Sequence, residues 1–196
     1  MKQSLLFLFC YIIALTAFAQ NSKFTLEAAY PLPVDDNFIG RNYKGIIDVG
    51  AKYRFSELPP FNLGFGLNGS ILNNKNALLA TTDVFLDITV TTFIIQPKVF
   101  AELDLESVPK FHPSVGLGYT FMIFNASGTD QAFGPSDTTD AQSGLNINFG
   151  VAYDISDRFF AQVQYDFIKL NVDGGVQDIK FNTNVNIIKF GFGYRL

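Results

Sequence analysis

Beyond residue 22, apolar and polar residues alternate with a period of two from end to end, broken by clusters of Gly, Asn, Asp, Ser and Pro. No segment sustains the spacing of an amphipathic helix. The alternation predicts eight strands, at 23–30, 43–55, 61–72, 92–103, 111–124, 144–154, 159–170 and 184–196. They are long: a soluble antiparallel strand usually has about five to six residues, whereas about eleven suit a tilted crossing of a bilayer. One face of each strand is apolar and rich in rings, as in Phe61, Leu63, Phe65 and Leu67, or Val115, Leu117, Tyr119 and Phe121. The other face carries Asp48, Lys52, Arg54, Asn68, Lys98, Glu102, Asn148, Gln162, Gln164, Asp166, Lys189 and Arg195.

Volume and backbone pairing decide which face meets the surroundings. A small soluble barrel would hide its apolar face inside, and a closed core of eight long strands has little room for so many Phe and Tyr rings. With the pattern turned inside out, the rings meet hydrocarbon, the polar residues meet a narrow lumen, and closure leaves no unpaired edge in the membrane. The expected fold class is therefore all-β, an eight-stranded antiparallel up-and-down transmembrane β-barrel.

The connections point the same way. Three short joins (56–60, 104–110 and 155–158) alternate with four longer, loop-like ones (31–42, 73–91, 125–143 and 171–183). Transmembrane barrels keep their short turns in the periplasm, so both termini are expected there, with the four longer segments outside. Phe24, Tyr53, Phe55, Phe61, Phe111, Tyr153, Phe159 and Tyr194 form a predicted aromatic belt toward the short turns, and Tyr30, Phe93, Phe121 and Phe167 one toward the loops. Within 84–90 the apolar residues fall on even positions, whereas from Phe93 onward they fall on odd ones. A continuous strand there calls for a bulge near Thr91 and Thr92; a β extension of the third hairpin beyond the membrane is expected, with an ordinary loop over 84–90 as the alternative.

Composition narrows the class further. The 196 residues are one domain by length, 48% are apolar and only 16% charged, with Phe 22 and Tyr 8, which excludes a disordered chain. Lys and Arg total 14 against 18 for Asp and Glu, so no basic excess exists to bind nucleic acid. Residues 1–19 read as a cleavable signal peptide: Lys2 gives the positive start, residues 5–15 an almost unbroken apolar run, and Ala17-Phe18-Ala19 the cleavage site. That run is too short for a spanning helix, which needs roughly 20 residues. Residues 20–196 are then the barrel domain. Cys10 is the only cysteine and lies in the leader behind bulky Phe9, so neither lipid modification nor a disulfide is expected of the mature chain. Without Lys2 the mature chain has thirteen bases against eighteen acids, a net of −5.

The inward faces suggest what fills the lumen. Glu27, Asp48, Glu102, Asp104, Asp154 and Asp166 nearly balance Lys52, Arg54, Lys98, Lys189 and Arg195, as a paired interior of low dielectric requires. Gly64, Gly66, Gly116, Gly118, Gly144, Gly150, Gly191 and Gly193 make room for the long side chains of neighbouring strands. Eight strands leave an interior that side chains fill, so no permanent aqueous channel is expected. The catalytic candidate is His112-Pro113-Ser114, with Glu102 across the short turn, a conceivable Ser, His and acid set. A hydrogen-bonded interior cluster is the favoured reading, and no catalytic residue is assigned. One His and no mature Cys leave no metal-ligand set, no cofactor is expected, and Gly64-x-Gly66 and Gly116-x-Gly118 lack the helix a nucleotide loop needs.

With these eight strands, the leader and the closing run Lys189-Phe190-Gly191-Phe192-Gly193-Tyr194-Arg195-Leu196, the chain resembles the small outer-membrane barrels of the OmpA and OmpX type. Its last residues are similar to their assembly signal, except that Leu196 stands where Phe is common. The stretches Ile95-Gln96-Pro97 and 112–119 are similar to those of porin-family outer-membrane β-barrel proteins of Bacteroidota-like bacteria. The His-x-Ser arrangement also loosely resembles that of outer-membrane lipid A deacylases. The resemblance implies insertion by the barrel-assembly machinery into outer-membrane lipid and a role between envelope integrity and adhesion. The leading expectation is a non-enzymatic barrel acting through its extracellular loops. The alternatives are a small pore or transporter, an envelope lipid hydrolase using His112 and Ser114, and a soluble periplasmic carrier.

Overall fold

A computed structural model describes residues 23–74, 78–81, 84–130, 134–171 and 177–196 of the chain. The predicted leader, 1–19, lies outside the described residues. Strand β1 (Phe24–Val34) pairs antiparallel with β2 (Tyr43–Leu58) on one side and β9 (Asn184–Arg195) on the other. From β2 the ladder continues through β3 (Phe61–Asn74), β5 (Val84–Leu103), β6 (Phe111–Asp130), β7 (Gly134–Asp154) and β8 (Phe159–Asn171) back to β9. Eight strands thus close into a ring in which every wall strand has two partners, as a structure immersed in hydrocarbon requires. Among the described residues the short β4 (Leu78–Thr81) pairs with the start of β5 alone, outside the ring.

Parity fixes the two surfaces. Along β1 exposed and buried residues alternate without a break, Leu26 and Tyr30 outward and Thr25 and Glu27 inward. The same holds for β8, whose Gln162, Gln164 and Asp166 face inward between exposed Val163 and Tyr165. Phe65, Leu117, Leu145, Phe149 and Phe192 stand on the outer wall, each more than half exposed, an arrangement that only an apolar solvent tolerates around the whole circumference. Of the predicted belt, Phe111 meets Tyr153 with ring centroids 5.0 Å apart and Phe159 meets Tyr194 at 4.9 Å, across the short-turn end of the wall.

The bulge anticipated near Thr91 and Thr92 is absent. β5 keeps one register with β3 and β6 through those residues, and the expected β extension is its uninterrupted continuation. Val90, Thr92 and Ile94 share the inner face with Gln96 and Lys98, so the parity never changes; the inner face itself turns apolar toward the long-loop end. Register shifts occur instead in β2, between Gly45 and Ile47 and between Arg54 and Ser56.

Each of the four long connections holds regular structure among its described residues. Segment 125–143 is mostly strand: β6 and β7 stay paired from Asn125↔Thr139 out to Asp130↔Gly134, and the ladder runs through Gly128 and Pro135, which read as breakers in the sequence. In 31–42, β1 runs to Val34 and is followed by the short helix α1 (Phe38–Asn42), whose first turn Asn37 caps by accepting from the Gly40 amide at 2.8 Å. Segment 73–91 holds the β4–β5 hairpin, and 171–183 ends in one helical turn, α2 (Lys180–Thr183).

Candidate functional site

The interior is layered along the barrel axis. At mid-height Lys189, only 1% exposed, places its ammonium 2.8 Å from both Asp48 and Asp166 and donates to Gln96 at 2.8 Å. Lys189 belongs to β9 and Gln96 to β5, four strands away in either direction around the ring, so this bond spans the lumen. Each carboxylate is further held: Asn148 donates to Asp166 at 2.6 Å, Asn68 to Asp48 at 2.9 Å, and Ser70 to Asp48 as well. An ammonium removed from water survives only with such saturation of charge and hydrogen bonds.

Toward the short turns, Lys52 pairs with Glu27 at 2.6 Å and Arg54 with Glu102 at 2.5 Å. Two aromatic rings lie inside the lumen on glycine backbone. A Cβ built on Gly64 would fall 2.4 Å from Phe100, and one on Gly193 would fall 2.0 Å from Phe160. A cation covers each ring, Lys52 at 5.5 Å from the centroid of Phe100 and Arg195 at 4.8 Å from that of Phe160. The room that the inward glycines were expected to make is thus taken by rings as well as by long polar chains.

Toward the long connections the interior is apolar. Leu72, Ile94, Met122, Ile168, Leu170, Val185 and Ile187 form one buried cluster with Tyr43 and with Ile39 of α1, which dips into the mouth. Sequence reasoning missed this layer. Its signal is the doubling of apolar residues near the loop ends of the strands, as in Ile71-Leu72, Phe93-Ile94-Ile95, Phe121-Met122-Ile123, Phe167-Ile168 and Ile187-Ile188.

His112 and Ser114 share a strand face, and Glu102 pairs in register with Ser114. Yet both ring nitrogens of His112 are engaged by carboxylates, Nδ1 with Asp104 at 2.8 Å and Nε2 with Asp154 at 2.9 Å, while Glu102 is committed to Arg54. At the same short-turn mouth Arg54 pairs with Glu102 and Arg195 with Asp154 at 2.7 Å, beside the two carboxylate contacts of His112. Glu102, Asp104 and His112 do bring three ligand-type atoms within 4.8 Å of one another, a grouping that residue counting did not anticipate.

The long-loop mouth is acidic. Segments 31–42, 73–91, 125–143 and 171–183 hold nine Asp and three bases, Arg41, Lys75 and Lys180, a net of −6. Arg41 is bonded to Asp36, and its guanidinium holds that carboxyl below the usual range.

A closed antiparallel ring with an apolar exterior, an ion-paired interior and strands long enough for a bilayer defines an integral outer-membrane β-barrel. The sequence matches the family described as outer membrane protein beta-barrel domain over residues 5–195, and the chain belongs to that family. Among solved structures it is similar to Neisserial surface protein A (17% identity, TM-score 0.57) and to Ail, the attachment invasion locus protein of Yersinia pestis, in complex with the heparin analogue sucrose octasulfate (13%, 0.55). It is also similar to the N-terminal β-barrel domain of Pseudomonas aeruginosa OprF (13%, 0.52). Each likeness covers 88% of this chain and 96% of the other, and at these identities it concerns the fold alone. No curated protein matches the chain.

Proposed function

We propose that the protein is a non-enzymatic outer-membrane barrel, closed to solutes, whose long-loop end faces the exterior and makes surface contacts, with both termini in the periplasm. The observation that carries this reading is the unequal height of the wall. β5, β6 and β7 continue past the ring as a raised sheet, and from 134 to 142 no described residue pairs with the outer side of β7. An unpaired strand edge offers a row of amides and carbonyls to an extended partner. The paired charges below it and the apolar layer between them leave the interior filled, which supports a closed lumen rather than a conduit. The carboxylates on both nitrogens of His112 leave Ser114 without a base, which speaks against the hydrolase alternative.

The polyanion in the Ail complex is a poor guide to the partner. A mouth of net −6 repels a sulfated sugar and favours neutral or basic surfaces. The test is adhesion of cells displaying the chain against cells displaying a variant in which 128–137 is replaced by a two-residue turn, with surface biotinylation of the same segment. Loss of adhesion with unchanged barrel abundance is expected. Equal adhesion, or a segment that reagent reaches only after the outer membrane is broken, would overturn the reading.

A further inference from the structure

Above the apolar layer the long-loop mouth holds a cavity of about 320 Å³, lined by Phe38, Tyr43, Phe124, Asp140, Gln142 and Asn182. We infer that this cavity is a binding site for a small organic ammonium compound, held by aromatic walls and the Asp140 carboxylate. Its volume lies at the lower end of the range of small-molecule sites, about 300–1,000 Å³. Three of the six lining side chains are aromatic and inclined rather than stacked: Phe38 meets Tyr43 at 5.8 Å and 62°, and Tyr43 meets Phe124 at 6.1 Å and 64°. Rings set at such angles enclose a space, and their negative faces attract a cation once water is displaced.

Rigidity comes from below. Tyr43 is a member of the buried cluster and Phe124 packs against it, so two of the walls are anchored in the barrel and not carried by a loop tip. Charge selects the ligand. The one acidic lining group is Asp140, and the rest of the four long segments adds a net of −5. The nearest cation on a ring, Arg41, lies 5.5 Å from the centroid of Phe181 and is already bonded to Asp36, so it does not compete for the cavity. Phe181 in turn packs on Phe38, with centroids 6.5 Å apart, and its contact with Arg41 is of the cation–ring kind proposed for the ligand. Gln142 and Asn182 supply amides for a hydroxyl or carbonyl beside the ammonium. Asp140 and Gln142 lie at the base of the raised β7, yet the site goes beyond the surface-contact reading: it needs no partner along the free edge and no particular orientation, so its failure would leave that reading standing.

The experiment titrates choline into the purified full-length mature barrel in a polyoxyethylene detergent, whose headgroup is neither an ammonium nor a sugar, with binding read by calorimetry and ligand-observed NMR. Saturable binding is expected. The uncharged tert-butyl isostere dimethylbutanol should bind about tenfold more weakly, because it keeps the shape and loses the cation–ring attraction. Asp140→Asn and Phe124→Leu should each weaken choline about fivefold or more, with heat-modifiable gel mobility showing that both variants fold. Equal affinity for choline and its isostere, preference for glucose, or no saturable binding to the wild-type barrel would overturn the proposal.

Discussion

Lys189 shows how much a single side chain decides in a lumen this narrow. Its ammonium neutralises Asp48 and Asp166 at once, and without it two carboxylates would face each other in a buried space. Lys189→Met should therefore lower stability by about 3–5 kcal/mol, as expected when one partner of a buried ionic cluster is lost, and the triple variant with Asp48→Asn and Asp166→Asn should recover most of it. Urea unfolding followed by gel mobility measures both. Gly193→Ala should cost about 1–3 kcal/mol by the same assay, because the added methyl meets the Phe160 ring and overpacks the lumen. Strand parity made Lys189, Asp48 and Asp166 legible in the sequence as inward residues. Their meeting was not legible, since it depends on register around a closed ring and joins β9 to β2, β5 and β8 across the lumen. The same limit misdirected His112: sequence proximity pairs it with Ser114, whereas closure pairs it with Asp104 and Asp154 from the neighbouring strand ends.

Among the elements, β5 to β7 carry the most information. Period-two alternation located all eight wall strands, because each must present opposite chemistry to lipid and lumen, but it starts β5 at 92 and β7 at 144 and ends β6 at 124, short of Val84, Gly134 and Asp130. It fails where both faces are apolar and where neither is. Val90 and Ile94 break the alternation by pointing inward to the apolar layer, and in the sequence alone that change reads as a bulge. The raised ends of β6 and β7 were read as loop because residues above the membrane face water on both sides and lose the pattern. Two predictions follow the division between wall and raised sheet. Leu117→Arg, on the outer wall, should cost about 2–4 kcal/mol if the residue sits near the bilayer midplane. Replacing 128–137 by a tight turn should leave unfolding within about 1 kcal/mol of wild type, because those residues lie beyond the closed ring.

Taken whole, the molecule separates its chemistry by height. The four long segments carry a net of −6 while the mature chain carries −5, so the wall, lumen and short turns together are nearly neutral. Ion pairs hold the lower and middle lumen, an apolar layer lies above them, and the acidic, aromatic mouth is what remains for contact. The function proposed for such an interior is that of a barrel that works through its outer end and passes nothing along its axis. Planar-bilayer recording of the purified wild-type barrel tests that proposal most directly. The bilayer should stay electrically silent across applied voltage, and a steady, reproducible open state from pure protein would contradict it.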